Sequence, residues 1–211
     1  MNYTKTIRNY CLQNKGDLFD VSYMKDSYFE MIPYKTLLKI INRLEDERIL
    51  TCVAKGVYLI NDEDTVLDDA IIRRYIADSR GMFVGNTMFN DLGITQTESD
   101  VIEVYTNRLT VDHKTIDNYQ LTRVDIPFTE TVEPIVMLLE CIENGYKLQD
   151  ISIIQLRNAV DELAERYSDQ AFTVICGTMK YQYSTIITLK ELLDQKGISN
   201  TCKEIFERYN K

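Results

Sequence analysis

The sequence contains few of the residues and motifs on which enzymes and metal sites are usually built. It has one histidine, His113, and no Cys-x-x-Cys pair. It also lacks a Gly-x-Ser-x-Gly motif, a Gly-Lys phosphate loop, a His-Glu-x-x-His motif and any Gly-Ser dipeptide. These absences argue against a hydrolase, a zinc site and a metal-dependent nucleotidyltransferase. We therefore expect no catalytic residue, no metal and no cofactor.

Two acidic runs and two glycines are the remaining candidates for catalysis or phosphate binding. Asp62-Glu63-Asp64 is interpreted as a solvated linker. Asp68-Asp69 is interpreted as a first helical turn, where the helix dipole favours negative charge. Gly81 and Gly85 could cradle a phosphate, but no Gly-Lys follows them, so a bend between helices is preferred. His113 is expected to be an exposed residue in a turn.

Long apolar runs and paired cysteines are also missing. No stretch approaches the roughly 18 apolar residues of a membrane span, and the first eight residues hold no apolar signal core. The five cysteines are odd in number and scattered, unlike a secreted disulfide framework. They are Cys11, Cys52, Cys141, Cys176 and Cys202. We expect a cytoplasmic protein without a membrane contact, whose cysteines are small core side chains.

Charge is divided unevenly along the 211 residues, which carry a net charge of −9. Residues 1–60 hold nine basic and seven acidic side chains, a balance of +2, so the remainder carries −11. Because phosphate backbones attract basic surfaces, only the N-terminal part is expected to approach nucleic acid. The chain is 45% hydrophobic and 27% charged, which is typical of a globular protein of one large or two small domains.

The first 61 residues predict three helices followed by a β-hairpin. The predicted elements are helices over 4–15, from Asp20 to 24 and over 34–47, and strands over 49–54 and 57–60 that meet at Lys55-Gly56. This order is typical of a winged helix-turn-helix, which we assign to residues 1–61 as a DNA-binding domain.

Residues 62–211 are predicted to form a second domain of mixed structure. Helices are expected over 65–80 and 86–92, strands over 101–106, 109–113 and 119–126, and further helices over 131–144, 152–167, 184–195 and 200–209. Gly145 and Gly197 stand where C-terminal helix caps belong. The expected fold class is α+β, with an N-terminal winged helix-turn-helix, a small antiparallel sheet and C-terminal helices.

The helix over 34–47 has two chemically different faces. An arc of about 160° is apolar on a helical wheel, and it holds Leu37, Leu38, Ile40, Ile41 and Leu44. Side chains that donate to phosphates or base edges occupy the opposite face: Lys35, Thr36, Lys39, Asn42 and Arg43. With Lys55 at the hairpin tip, these are the candidate DNA-binding residues. An ordinary solvated face would carry similar side chains.

Two blocks of sequence resemble the AbiEi-type (type IV) antitoxin family. Residues 37–50, with an Arg-Leu pair near the helix end, and Lys55-Gly56-Val57-Tyr58 are similar to that family's helix and second wing strand. Residues 81–96, which end in Leu-Gly-Ile-Thr-Gln, resemble its Leu-Gly-Leu-Thr-Thr-Gln pattern, and residues 101–107 continue the likeness. The resemblance covers residues 4–126, and the acidic helical tail matches loosely.

The resemblance implies a transcriptional repressor that acts as an antitoxin. Family members bind inverted repeats upstream of a toxin–antitoxin operon, repress it and counter a nucleotidyltransferase-like toxin. The implied partners are double-stranded operator DNA, the cognate toxin and a second copy of the chain in a homodimer. The alternative is a protein-interaction module that uses the winged helix and the acidic C-terminal half without binding DNA. An enzyme is the least favoured class.

Overall fold

The computed structural model describes residues 2–148 and 150–209; Met1, Gln149, Asn210 and Lys211 lie outside the described residues. Within these ranges the chain forms ten α-helices and seven strands in two sheets. The α+β class is thereby confirmed. None of the helices in the described ranges has the length and apolarity that crossing a membrane requires.

The N-terminal part combines three helices with a three-stranded sheet. Its elements are α1 Tyr3–Gln13, β1 Leu18–Asp20, α2 Val21–Ser27, α3 Tyr34–Asp46, β2 Leu50–Ala54 and β3 Val57–Ile60. The strands lie in the order β1-β3-β2, and both pairs are antiparallel. The sequence did not predict β1, because all three of its residues are buried and show no alternation of apolar and polar positions.

Local interactions explain where α2, α3 and the hairpin begin and end. The Asp20 carboxylate caps α2, accepting hydrogen bonds from the backbone N–H groups of Ser22 at 3.0 Å and Tyr23 at 3.2 Å. Pro33 precedes α3 and fixes an extended entry with φ −56° and ψ 136°. Gly56 has a φ of +74°, which permits the two-residue turn between β2 and β3.

The second sheet mixes parallel and antiparallel pairs. The elements around it are α4 Leu67–Tyr75, β4 Gly81–Val84, α5 Gly85–Asp91, β5 Ile102–Thr106, β6 His113–Ile116 and β7 Tyr119–Arg123. The order is β4-β5-β7-β6, with β5 parallel to β7. The prediction of an antiparallel sheet was therefore wrong for its central pair, and the strand expected over 109–113 instead begins at His113.

Gly81 opens a strand where a bend was expected. A Cβ at this position would lie 2.3 Å from the Tyr75 carbonyl oxygen and 2.4 Å from the Tyr105 carbonyl oxygen. Glycine therefore lets the end of α4, β4 and β5 approach one another closely. Gly81 thus has a structural role, but that role is a close backbone approach inside a sheet and not a bend.

The C-terminal part is helical. Its elements are α6 Glu133–Asn144, a 3₁₀ turn Gly145–Lys147, α7 Ile153–Ala164, α8 Asp169–Cys176, α9 Tyr183–Gln195 and α10 Cys202–Tyr209. The sequence did not predict α8, whose eight residues are too few for periodicity to decide. Gly197 has a φ of +69°, as expected after a helix, whereas Gly145 has a φ of −53° and continues into the 3₁₀ turn.

Three groups of buried side chains hold these parts together. One lies between the N-terminal helices and their sheet, and another lies among the C-terminal helices. The third joins the two sheets through α4, and includes Leu18 and Val57 from the first sheet and Leu121 from the second. Lys114 of β6 also reaches the buried Asp20 carboxylate at 2.9 Å. The two sheets are therefore in direct contact.

Candidate nucleic-acid interface

Five of the six candidate DNA-binding residues lie on the solvent side of α3. Lys35, Lys39, Asn42 and Arg43 are exposed, and Thr36 is half-buried. None of these side chains makes a hydrogen bond or salt bridge to another residue that the structure describes. The face therefore presents cations and amide donors that no internal partner occupies.

The opposite face of α3 fixes the rotation of the helix. Leu37, Ile41 and Leu44 are fully buried, and Ile40 is 5% exposed. Burying each such side chain stabilises the fold by roughly 1.5–3 kcal/mol. Because rotating α3 would expose all of them, the polar side chains are held outward. The predicted apolar face is confirmed as the buried one, with Leu38 packing at its edge.

A groove of about 630 Å³ lies between α3 and the start of α1. Thr36, Lys39 and Arg43 line it on the α3 side, and the first turn of α1 lines the other. Asn2 caps α1 by accepting a hydrogen bond from the Lys5 backbone N–H at 3.1 Å, and that turn contains no acidic residue. The positive end of a helix dipole and two cations thus face one space, an arrangement that suits an anionic oxygen.

The α1 side of this groove was absent from the sequence prediction. Its lining residues are Asn2, Tyr3 and Thr4. Asn2 carries a sequence signal, because asparagine ahead of a helix is a common N-cap. That signal marks a helix start but gives no information on which other helix lies beside it.

An ion pair joins α1 to the C-terminal end of α3. The Arg8 guanidinium binds the Glu47 carboxylate through both terminal nitrogens, with Nη2 at 2.8 Å from Oε1. The hydrogen bond from Arg8 lowers the pKa of Glu47, and the charge of Arg43 lowers it further. The same bond raises the pKa of Arg8. Arg8 is thus engaged, whereas Lys39 and Arg43, which line the groove, have no salt bridge to any residue that the structure describes.

Lys55 lies in a different cleft from Lys39 and Arg43. This cleft is about 450 Å³, and its lining includes Lys55, Tyr34 and the β6 residues His113 and Lys114. The Gly56 carbonyl accepts a hydrogen bond from the Val21 N–H at 2.9 Å, so the hairpin turn is held against the start of α2. Because Tyr34 is the first residue of α3, Lys55 lies at the N-terminal end of that helix.

The residues considered for catalysis are not brought together. His113 is exposed at the start of β6, outside the expected turn, and its Nδ1 lies 3.2 Å from Thr122 Oγ1. Asp68 and Asp69 occupy the first turn of α4, as predicted. Residues 2–148 and 150–209 contain no group of three His, Cys, Asp or Glu side chains that could hold a metal.

Gly85 was considered for a phosphate cradle, and an acidic side chain lies against it. A Cβ at Gly85 would come within 1.8 Å of Glu103 Oε2. The φ of Gly85 is +59°, which glycine adopts readily at this strand-to-helix junction. A phosphate placed there would meet the negative charge of Glu103.

A buried carboxylate on α6 forms a separate polar cluster that the sequence did not reveal. Glu140 is 6% exposed; its Oε1 accepts hydrogen bonds from the hydroxyls of Tyr105 and Tyr181, each at 3.2 Å. Asn144 donates to Oε2 at 2.8 Å. Burial raises the pKa of Glu140 despite these hydrogen bonds. Every carboxylate oxygen is satisfied internally, so the cluster is a polar part of the core.

No protein-family model matches the chain, and no curated protein matches it.

Proposed function

We propose that the N-terminal part is a winged helix-turn-helix and that the protein is a sequence-specific DNA-binding repressor. The observation that carries this proposal is the outward face of α3, where the exposed side chains of Lys35, Lys39, Asn42 and Arg43 have no hydrogen bond or salt bridge among the described residues. In DNA-binding helix-turn-helix proteins the second helix of the motif lies in the major groove, and its N-terminal residues contact base edges.

The order of elements supports the same proposal. The chain runs helix, strand, two helices and a two-stranded hairpin, and β1 pairs with the second hairpin strand. The N-terminal 60 residues carry +2 and the rest −11. Electrostatic attraction would therefore turn the N-terminal part towards DNA and the remainder away from it.

Five of the six candidate residues are assigned a DNA contact in this proposal. Lys35 and Lys39 donate to guanine O6 and N7, and Asn42 forms a bidentate pair with adenine. Arg43, beside the start of α1, holds a backbone phosphate in the groove. Lys55 contacts a second phosphate from the N-terminal end of α3.

The biological setting that we propose is a toxin–antitoxin operon. The resemblance of residues 4–126 to AbiEi-type antitoxins favours a repressor of its own promoter, with a nucleotidyltransferase-like toxin as the cognate partner. Inverted repeats in the operator would call for two copies of the chain, with half-sites about 34 Å apart, one turn of DNA.

A mobility-shift experiment tests DNA binding directly. The purified chain is titrated into DNA from upstream of its own gene at 50 and 200 mM salt, with unrelated competitor. We expect a specific complex that survives competitor and weakens at the higher salt, because log K falls by about 0.9 per neutralised phosphate for each tenfold rise in salt. A matched fragment with a scrambled repeat should not compete.

A protein-interaction module is the second candidate function. Tyr146, in the 3₁₀ turn after α6, and Ile153 and Ile154, at the start of α7, are 69%, 55% and 73% exposed. Neighbouring exposed apolar side chains of this kind favour a protein contact. If the chain gives no shift even at the lower salt, the repressor proposal is defeated and this module becomes the leading function.

A further inference from the structure

A groove of about 470 Å³ lies among the C-terminal helices, with lining residues from α6, α7 and α9. We call it the α7–α9 groove. Its apolar lining comes from all three helices and from the 3₁₀ turn, and consists of Ile142, Tyr146, Ile153, Val160 and Leu192. The groove shares no lining residue with the groove of α3, so the two surfaces are separate.

Large apolar side chains are open to solvent at the α7–α9 groove. Tyr146 and Ile153 line it although they are 69% and 55% exposed. Ile154 is 73% exposed, and it lies beside Arg157 of the lining because residues three apart on a helix are neighbours. Soluble proteins rarely expose adjacent large apolar side chains without a use for them. The groove therefore has the character of a protein contact surface.

The charged lining of the groove leaves one cation and one anion unpaired. Lys196 binds the Asp161 carboxylate at 3.1 Å, so Asp161 is compensated within the protein. Arg157 on α7 and Glu191 on α9 also line the groove and are exposed. Neither makes a hydrogen bond or salt bridge to any residue that the structure describes. The groove thus offers two opposite charges, on two different helices, to a partner.

A second copy of the chain matches this pair of charges. In a twofold-symmetric contact the same surface meets itself, so Arg157 of one copy can face Glu191 of the other, and the reciprocal pair forms at the same time. A nucleic acid would bring negative charge against Glu191, and a strongly basic partner would bring positive charge against Arg157.

The charge of the surrounding region selects the same face. Residues 61–211 carry a balance of −11, so most surfaces of this part would repel a second copy. In the α7–α9 groove the unpaired charges cancel, and the apolar side chains beside them gain from leaving water. Self-association is therefore favoured at this groove over the acidic remainder of the C-terminal part.

We propose that two copies of the protein associate through the α7–α9 groove with twofold symmetry. Tyr146, Ile153 and Ile154 of each copy pack against the other copy. Arg157 and Glu191 form two symmetric ion pairs across the contact. The proposal does not depend on DNA binding; if the protein binds inverted repeats, this contact would supply the two copies.

Sedimentation equilibrium of the full chain, over a range of protein concentrations from about 1 to 200 μM, tests for the association. We expect the weight-average mass to rise from 24.6 kDa towards twice that value. Ile154→Asp, at an exposed side chain, should move the midpoint of this rise to at least tenfold higher concentration. Circular dichroism checks that each variant is folded.

Charge reversal distinguishes a second copy from any other occupant. Arg157→Glu and Glu191→Arg should each weaken the dimer at least tenfold, because both symmetric pairs become like-charged. Mixing these two variants should restore a dimer, since each pair then joins a glutamate to an arginine. The double variant, with both changes in one chain, should also dimerise. Lys180→Glu, at an exposed residue outside the groove lining, is the control and should leave the dimer unchanged.

Three outcomes would overturn the proposal. A protein that stays monomeric at every concentration does not use the groove for a second copy, which leaves it to a different protein. A dimer that persists unchanged in Ile154→Asp and in both charge reversals forms through another face. Single variants that dissociate, with no recovery on mixing or in the double variant, would show that Arg157 and Glu191 do not pair between copies.

Discussion

The outer face of α3 and the Glu140 cluster both contain polar side chains. Those on α3 are exposed to solvent, whereas Glu140 is buried and hydrogen-bonded within the protein. Lys39 and Arg43 are exposed and have no hydrogen bond or salt bridge among the described residues. Glu140 is buried and receives three hydrogen bonds from Tyr105, Tyr181 and Asn144. The α3 side chains can exchange water for a partner at low cost, whereas both oxygens of the Glu140 carboxylate already accept hydrogen bonds from within the protein.

This contrast separates side chains that stabilise the fold from side chains that are available for binding. Removing a group of the Glu140 cluster strands buried donors, whereas removing an exposed cation of α3 strands nothing inside the protein. Variants of the Glu140 cluster should therefore lower the free energy of unfolding, and variants of the α3 face should lower the affinity for DNA.

Glu140→Ala should destabilise the protein by about 3 kcal/mol, because a small cavity and three unsatisfied donors replace the carboxylate. Urea unfolding followed by circular dichroism measures this loss. Glu140→Gln, which keeps an acceptor oxygen, is the matched control and should lose less. Equal, negligible losses in both variants would show that the cluster is not part of the stabilising core.

The same variant pair predicts a pH effect. The pKa of Glu140 is raised above its ordinary value of 4.5, so the folded state holds the proton more tightly than the unfolded state. The contribution of this group to stability is therefore present below pH 4.5 and lost as pH rises through the folded pKa. Glu140→Gln has no titrating carboxyl at this position. Its urea midpoint should therefore lack the fall that Glu140 contributes as pH rises above 4.5.

Lys39→Ala combined with Arg43→Ala should weaken operator binding by about 30-fold or more, since each lost contact costs roughly 1–3 kcal/mol. The urea midpoint should stay unchanged, because neither side chain has a hydrogen bond or salt bridge to any residue that the structure describes. Lys180→Ala removes an exposed cation from the C-terminal region and is the control. Normal binding by a folded Lys39/Arg43 variant would place the DNA site elsewhere.

Glu47→Gln should have the smallest effect. It releases Arg8 from its ion pair beside α3 and makes that cation available to a phosphate. The slope of log K against log salt should then become steeper by about 0.9. Glu207→Gln on α10, which lies 3.9 Å from Lys203, is a matched control and should leave the slope unchanged. An identical slope in Glu47→Gln would argue against DNA near Arg8.

Local features of the fold could be predicted from the sequence. The apolar face of α3, the Asp20 cap and the turn at Gly56 each depend on residues a few positions apart. The strand β1 and the parallel pairing of β5 with β7 could not be predicted, because they arise from partners distant in sequence. Strand β1, for example, pairs with β3 through contacts such as Leu18 with Leu59.

The same distinction applies to the candidate site. The side chains on α3 were identifiable because a single helix sorts them onto one face. The start of α1 beside them, and the separate cleft around Lys55, depend on how distant segments pack. Glu140 gave no signal, since its partners Tyr105 and Tyr181 are 35 and 41 positions away in the chain.

The arrangement of the second sheet constrains the sequence of events during folding. Strands β6 and β7 pair across a tight turn, with Ile116 opposite Tyr119, so this hairpin can close within microseconds. Strand β5 pairs with β7 only in parallel, and the whole of β6 lies between them in the chain. Because its contacts are local, we expect the hairpin to close before β5 and β4 dock onto it, since that docking is the non-local step. Until β5 docks, the open edge of β7 remains exposed to pairing with other chains.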